Sequence, residues 1–274
     1  MASDARQWCE IVIPCYNEGA RLQGGRFLEF LREHEGIRFL FVNDGSRDNT
    51  MEVLREIQKN GGERILVLDI ERNGGKAEAV RAGMLRAIQE PEVAYVGFWD
   101  ADLATPLSTI PVFVAFLAAN EQLQMVFGSR VRLLGHNIHR RAVRHYLGRV
   151  FASVVSVLLR LPIYDTQCGA KLFRMTPELS TVLDAKFLSR WVFDVEILAR
   201  YIDLHHGDSA FLRDSIYEHP LDSWEDVAGS KVGPGAFFKA FFDVLRIYRM
   251  YLRPGKRTRR LKAPGSDNQA PCRQ

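Results

Sequence analysis

Short apolar runs alternate with amphipathic stretches through the first half of the chain. Ile11-Val12-Ile13, Phe39-Leu40-Phe41-Val42, Ile65-Leu66-Val67-Leu68 and the run into Trp99 have no polar interruptions, as strands buried on both faces require. Between them apolar residues recur at helical spacing. Leu22, Phe27, Phe30 and Leu31 mark a helix over Glu18 to Arg32, and Met51, Val53, Leu54 and Ile57 one over Asp48 to Lys59. A third helix is predicted from about Lys76 to Gln89. Strands alternating with helices predict a mostly parallel, doubly wound α/β sheet. Right-handed crossovers gather the loops after the strands on one edge. Pro14–Glu18, Asn43–Ser46, Asn73–Lys76 and Asp100–Asp102 therefore border one crevice, the place where open α/β sheets bind ligands.

The second half is less regular. Met125-Val126-Phe127 predicts a strand ending at Gly128-Ser129-Arg130, and Arg140 to Leu161 a helix that is basic at its start and apolar towards its end. Ile163 to Phe173 predicts a loop leading into a short strand, and Val195 to His205 a further helix. Phe237 to Leu252 is amphipathic, with Phe237, Phe238, Phe241, Phe242, Leu245 and Tyr248 on one side. From Arg253 periodicity ends and a basic, disordered tail is expected. The predicted organisation is one domain over 1–235, in halves of about 9–104 and 105–235, then a helix over 236–252 and the tail over 253–274.

Composition narrows the class only a little. With 47% hydrophobic and 26% charged residues the chain has the make-up of a soluble globular protein, and a net charge of +4 gives no reason to expect nucleic acid. Cys9, Cys15, Cys168 and Cys272 lack metal or disulfide spacing, which fits thiols in a reducing cytosol. The seven histidines form no metal-ligand pattern, and His205-His206 reads as a helix end. No signal peptide is visible, and the best apolar run, Phe151 to Leu159, is short and bracketed by Arg149 and Arg160. An integral membrane protein is not expected.

Candidate chemistry centres on Asp100-Ala101-Asp102. Two carboxylates at a strand's carboxyl end repel each other unless a cation lies between them, and a divalent ion meets that need. Asp-x-Asp also occurs in solvated turns, so the neighbouring loops have to supply the context. Arg72-Asn73-Gly74-Gly75-Lys76-Ala77 is one such loop, with glycines at the start of a helix and a lysine to meet an anion. It lacks the Walker spacing of an ATP site.

Ile13-Pro14-Cys15-Tyr16-Asn17-Glu18, Val42-Asn43-Asp44-Gly45-Ser46 and the Asp100/Asp102 pair, in that order, resemble a family 2 inverting glycosyltransferase with the GT-A fold. The resemblance implies a nucleotide-sugar donor held by Pro14, Tyr16, Glu18, Asp44 and Lys76, with Mg²⁺ or Mn²⁺ on Asp100 and Asp102. Asn43 stands where the family more often has a first Asp; Asp44 alternatively belongs to a turn or a helix cap. Gly128-Ser129-Arg130, the Arg140-Arg141/Arg144 run, Asp165 to Phe173, Trp191 to Glu196, Trp224 and Gly229 to Val232 are similar to the polyprenyl-phosphate members. The stretch Asp-Thr-Gln-Cys-Gly-x-Lys is close to the dolichyl-phosphate β-glucosyltransferase pattern. The resemblance covers roughly Ile11 to Val232. Some mannosyl members carry Gln where this chain has Ala104, which implies fewer protein ligands on the metal.

In that setting Arg130 would hold the sugar or diphosphate, and Arg144 with Arg141 would pair with an acceptor phosphate. Gln167, Lys171, Asp194 and Glu196 complete the acceptor side. The arginine run alternatively forms a solvated helix face; one of Asp194 and Glu196 orients an arginine under the acceptor site, or forms a salt bridge with no catalytic role. Asp100, Asp102, Arg130 and Arg144 are the expected catalytic set. The expected reaction is inverting transfer of a hexose, glucose in preference, from a nucleotide sugar to a polyprenyl or dolichyl phosphate. GDP-mannose as donor, a soluble hydroxyl acceptor needing Asp194 or Glu196 as base, and a non-catalytic nucleotide-sugar-binding protein are the rival readings. The Phe-rich helix and the run Lys256 to Lys262 suit a peripheral site at the cytoplasmic membrane face, with a membrane-protein partner or a second copy as further expectations.

Overall fold

The computed structural model describes residues 8–131, 133–139, 142–225 and 234–253. In chain order the elements are β1 (Trp8–Cys15), α1 (Gly24–Glu33), β2 (Ile37–Asp44), α2 (Thr50–Gly61), β3 (Ile65–Ile70), α3 (Lys76–Ile88) and β4 (Val93–Trp99). Then come α4 (Thr109–Ala119), β5 (Met125–Ser129), β6 (Asn137–His139), α5 (Ala142–Leu159), β7 (Ala170–Arg174) and α6 (Pro177–Asp184). Last are α7 (Phe193–Leu204), α8 (Ala210–Ser215), β8 (Ile216–Pro220), β9 (Ser223–Glu225) and α9 (Pro234–Ile247), which runs on into a π-helical turn over Tyr248–Leu252.

Among the described residues seven strands form one sheet in the order β3-β2-β1-β4-β7-β5-β8. All neighbours are parallel except β7, which runs antiparallel between β4 and β5. The sheet is covered on both sides, and successive β1 residues show how. Val12 enters the core beneath α3 and α7, while Ile11 and Ile13 enter the core beneath α1, α2 and α4. That two-sided burial is why the strands read as unbroken apolar runs.

The structure differs from the sequence reading at several points, and it adds α6, α8, β6, β8 and β9, for which the sequence reading has no counterpart. The first helix begins at Gly24 rather than Glu18, because bonds from the Asn17 N–H to Ser46 and from the Glu18 N–H to Thr50 hold the preceding segment as a loop. Helix α4 has no counterpart in the sequence reading; Thr109-Ile110-Pro111 opens it with the proline in its first turn, where no backbone N–H is needed. The loop before Phe173 feeds an antiparallel strand inserted into the parallel sheet. Helix α9 turns Val244 and Ile247 inward and sets Phe241 against Phe151 of α5, so the apolar face of the predicted helix is split between the core and solvent. Phe242, Leu245 and Met250 are exposed. The side chains of Phe237 and Phe238, and all of 254–274, lie outside the described residues. No described helix is long and apolar enough to cross a membrane.

Candidate active site

The loops after β1, β2 and β4 and the N-terminus of α3 meet at the carboxyl edge of the sheet. Asn17, in the left-handed region at φ 52°, joins the first two loops. Its Oδ1 accepts the Arg47 N–H at 2.9 Å and its own N–H donates to Ser46 Oγ at 3.0 Å. The Glu18 N–H donates to Thr50 Oγ1 at 2.8 Å, and Arg21 Nη2 donates to the Glu18 carboxylate at 2.7 Å. Pro14, next to last in β1, pairs with Val42, and Tyr16 is partly buried just beyond the strand.

The glycine loop is organised by a carboxylate of the chain itself. The N–H groups of Gly74 and Gly75 donate to the two Asp44 oxygens at 2.7 and 2.8 Å, and Asn73 Nδ2 adds a third bond at 2.8 Å. Successive N–H groups converging on an anion form a nest. Burial pushes the Asp44 pKa up, and these two N–H bonds pull against it. Beside it, Asn43 Nδ2 donates to Asp69 Oδ1 at 2.7 Å, a contact in which an aspartate at this position would meet a like charge.

Lys76 opens α3 immediately after the nest, and its ammonium lies 2.5 Å from Asp100 Oδ1. Gly83, farther along α3, lets the helix lie on the sheet: a Cβ there would come within 2.5 Å of Val12 Cγ1. Asp100 is anchored through its N–H to the Gly169 carbonyl at 3.0 Å. Glycine at 169 leaves the Asp100 carboxylate its place, because a Cβ would sit 1.9 Å from Asp100 Oδ2 and push it aside. The turn is then pinned by the buried Trp99 indole, which donates to the Thr105 carbonyl at 3.0 Å. Asp102 Oδ1 accepts the Ala104 N–H at 3.1 Å. Burial raises the Asp102 pKa and the neighbouring Asp100 charge adds to it, with Lys76 and Arg21 opposing. Burial by itself would depress Lys76, but the charges of Asp100 and Asp194 outweigh it and hold its pKa up.

This donor set suits a divalent cation. Two carboxylates at one strand end carry charge that Lys76 only partly offsets, and the cradle at Gly169 keeps room for one of them. No described cluster of three or more His, Cys, Asp or Glu gathers anywhere, so the remaining coordination would fall to phosphate oxygens and water.

Behind Lys76 the charges alternate. Asp194 Oδ1 lies 2.7 Å from Lys171 Nζ, which also donates to the Cys168 carbonyl at 2.5 Å beneath the rings of Phe98 and Phe127. Gln167 Nε2 reaches Asp194 Oδ2 at 3.4 Å. Arg130, at the end of β5, forks onto Asp165 at 2.6 and 2.8 Å and lies over the Trp224 ring.

A model of glycosyl transferase family 2 matches residues 10–178. The chain belongs to that family. It is 32% identical to mouse dolichyl-phosphate β-glucosyltransferase over 257 residues, covering 88% of this chain and 75% of the relative. Identity to the yeast dolichyl-phosphate β-glucosyltransferase is 31%, covering 84% and 70%. Among solved structures, glucosyl-3-phosphoglycerate synthase from Mycobacterium tuberculosis, crystallised with Mn²⁺, UDP and glucosyl-3-phosphoglycerate, aligns with a TM-score of 0.61. That alignment has 18% identity and covers 89% of this chain and 80% of the other, which establishes a shared fold.

Within this family member, Pro14, Tyr16, Glu18, Lys76, Asp100 and Asp102 come to one edge, with Arg130 and Gln167 bordering it. The described geometry bears on three expectations. Asp44 is 2% exposed, and its carboxylate accepts the Gly74 and Gly75 N–H groups. The same bonds occupy the Gly74 and Gly75 N–H groups, and the Lys76 ammonium next to them lies against Asp100. Lys171 and Asp194 neutralise each other in the core instead of facing an acceptor. Glu196 is fully buried against Arg200 at 2.7 Å and the Leu188 N–H at 2.8 Å, which makes it a structural anchor. Arg141 lies outside the described residues; Arg144 falls on α5, with its side chain outside them. Sequence reasoning missed Arg21, Gly169 and Arg190. Gly169 sat inside a quoted motif, but only the distance to Asp100 reveals its task.

Proposed function

We propose that this chain transfers glucose, with inversion, from UDP-glucose to a polyprenyl phosphate of the dolichyl type, using Mg²⁺ or Mn²⁺. The observation that carries the reading is the meeting of Lys76 with the Asp100/Asp102 pair at the sheet edge, in a chain about 30% identical to dolichyl-phosphate β-glucosyltransferases over most of its length. Asp100 and Asp102 would hold the cation, which when bound offsets the negative charge that grows on the departing diphosphate. Lys76 supplies a fixed positive charge beside it. Arg21 holds Glu18 in the wall of the crevice, and the buried Asp194 steadies Lys76 from behind.

An acceptor phosphate is already ionised near neutral pH, since its second pKa is about 6, and needs orientation more than a base. That suits this site. Asp194 and Glu196, the candidate bases for a hydroxyl acceptor, are 6% and 0% exposed and are committed to Lys171 and Arg200. Arg144 and Arg141 remain the proposed acceptor-phosphate contacts, with Arg130 held by Asp165 at the border. The lipid would be met at the cytoplasmic face of a membrane through the outward stripe of α9 and its π-helical turn, where Phe242, Leu245 and Met250 alternate with Arg246 and Arg249 around one surface groove.

The test is to offer the full chain labelled UDP-glucose or GDP-mannose with a short polyprenyl phosphate or a soluble phosphorylated acceptor. Label from UDP-glucose entering the lipid phase supports the proposal. Label from GDP-mannose instead replaces the sugar, and label only in the soluble acceptor overturns the lipid assignment.

A further inference from the structure

The turn Ser189-Arg190-Trp191 precedes α7 in the second half of the chain, yet it grips the donor-side loop of the first half. Arg190 Nε donates to the Gly74 carbonyl at 2.9 Å. Its Nη2 donates to the Asn73 carbonyl at 3.2 Å and also to Asn73 Oδ1. The Arg190 carbonyl accepts the Ala77 N–H, in the first turn of α3, at 3.2 Å. Gly75 adopts φ +91°, and a Cβ on it would meet Arg190 Nε at 2.5 Å. The loop is thus held from two sides. Asp44 takes its N–H groups and Arg190 takes its carbonyl groups.

Arg190 is exposed, and the residue before it ties its turn to the core. Ser189, 2% exposed, donates through Oγ to Asp243 Oδ2 of α9 at 2.7 Å. The same Oγ accepts the N–H groups of Trp191 and Val192 at 3.2 and 3.0 Å. Lys76 is the next residue after the clamped segment, and its ammonium is the group set against Asp100.

We propose that Arg190 is a positioning residue that fixes the Asn73–Gly75 loop from the opposite half of the chain and thereby sets Lys76 for the donor's diphosphate. The inference rests on the donor reading above. A guanidinium suits the task because its planar fork reaches two carbonyls and an amide oxygen together, whereas a lysine ammonium is a single point of contact.

The experiment titrates UDP with Mn²⁺ into the full chain by calorimetry, for the parent, Arg190→Lys, Arg190→Ala, Asn73→Ala and the double variant Arg190→Ala/Asn73→Ala. Steady-state transfer then gives KM for donor and acceptor separately. The expected result is UDP binding weakened roughly tenfold in both Arg190 variants, the scale of one lost charge-assisted hydrogen bond. Donor KM rises with it, acceptor KM holds, and the double variant loses less than the product of the two single losses. Ser189→Ala, one step farther back, shows a smaller loss in the same direction and keeps the test open should Arg190→Ala not fold. Unchanged UDP binding in Arg190→Lys and Ser189→Ala overturns the inference, as do fully multiplicative losses, which would mean that Arg190 acts independently of Asn73. If the parent binds no UDP, the donor reading falls and this inference with it; if the parent binds and the variants match it, this inference falls alone.

Discussion

Two acidic pairs in this chain have the same one-residue spacing and opposite fates. Asp100 and Asp102 follow strand β4 in a turn at the sheet edge, where Lys76 approaches one and the Ala104 N–H the other. Asp194 and Glu196 lie in the first turn of α7, where a separation of two residues points side chains about 200° apart around the axis. Asp194 therefore faces Lys171 and Glu196 faces Arg200, each buried with its own cation. The first pair concentrates charge at an open edge, as a cation site needs. The second divides it between two closed bridges. Spacing acquires chemical meaning only from the backbone that carries it.

The sharpest way to break this contrast is to neutralise one member of each pair. Asp102→Asn should lower transfer roughly 100-fold or more, by removing a charge aimed at the leaving group, while thermal unfolding of the metal-free chain stays level or rises as the repulsion with Asp100 goes. Glu196→Ala should do the reverse. It strands Arg200, 1% exposed, in the core and should cost about 3–5 kcal/mol in chemical unfolding, with activity per folded molecule retained. Equal activity losses in the two variants would erase the distinction.

Gly169→Ala sharpens the same point without touching a charge. Its Cβ has to displace the Asp100 carboxylate, and Mn²⁺ binding followed by electron paramagnetic resonance should weaken roughly tenfold. A pH series gives a gentler probe. Because burial and Asp100 raise the Asp102 pKa, a proton competes with the metal above the ordinary Asp value of about 3.9. Mn²⁺ affinity should therefore fall as pH is lowered towards that raised pKa, and Glu196→Gln should leave the profile in place. The smallest effect is expected at α9, where Arg246→Gln should weaken binding to anionic vesicles by about 1 kcal/mol and leave binding to neutral vesicles nearly unchanged.

Much of the first half was legible because its physics is local. Ile11 to Ile13 and Phe39 to Val42 are buried on both faces, and the loops that follow them are short, so strand, crossover and crevice could be read in sequence order. The second half resists such reading. Strand β7 is placed between β4 and β5 by antiparallel pairing with residues far away in sequence, and nothing in Ala170 to Arg174 announces that direction. Lys171 illustrates the cost: its charge suggested an accessible site, while cross-strand neighbours Phe98 and Phe127 put it in the core with Asp194. Asp44 was legible as a functional position but not in its role, because the glycine N–H groups that bind it lie 30 and 31 residues away. Arg190 acts across still greater separation.

The most direct test of the central claim is Mn²⁺-dependent transfer of labelled glucose from UDP-glucose to polyprenyl phosphate by the parent, Asp102→Asn and Glu196→Gln, with and without chelator. The account predicts label in the lipid for the parent and Glu196→Gln with metal, and none for Asp102→Asn or after chelation. Transfer that survives in Asp102→Asn and in chelator, or that fails in a folded Glu196→Gln, would contradict it.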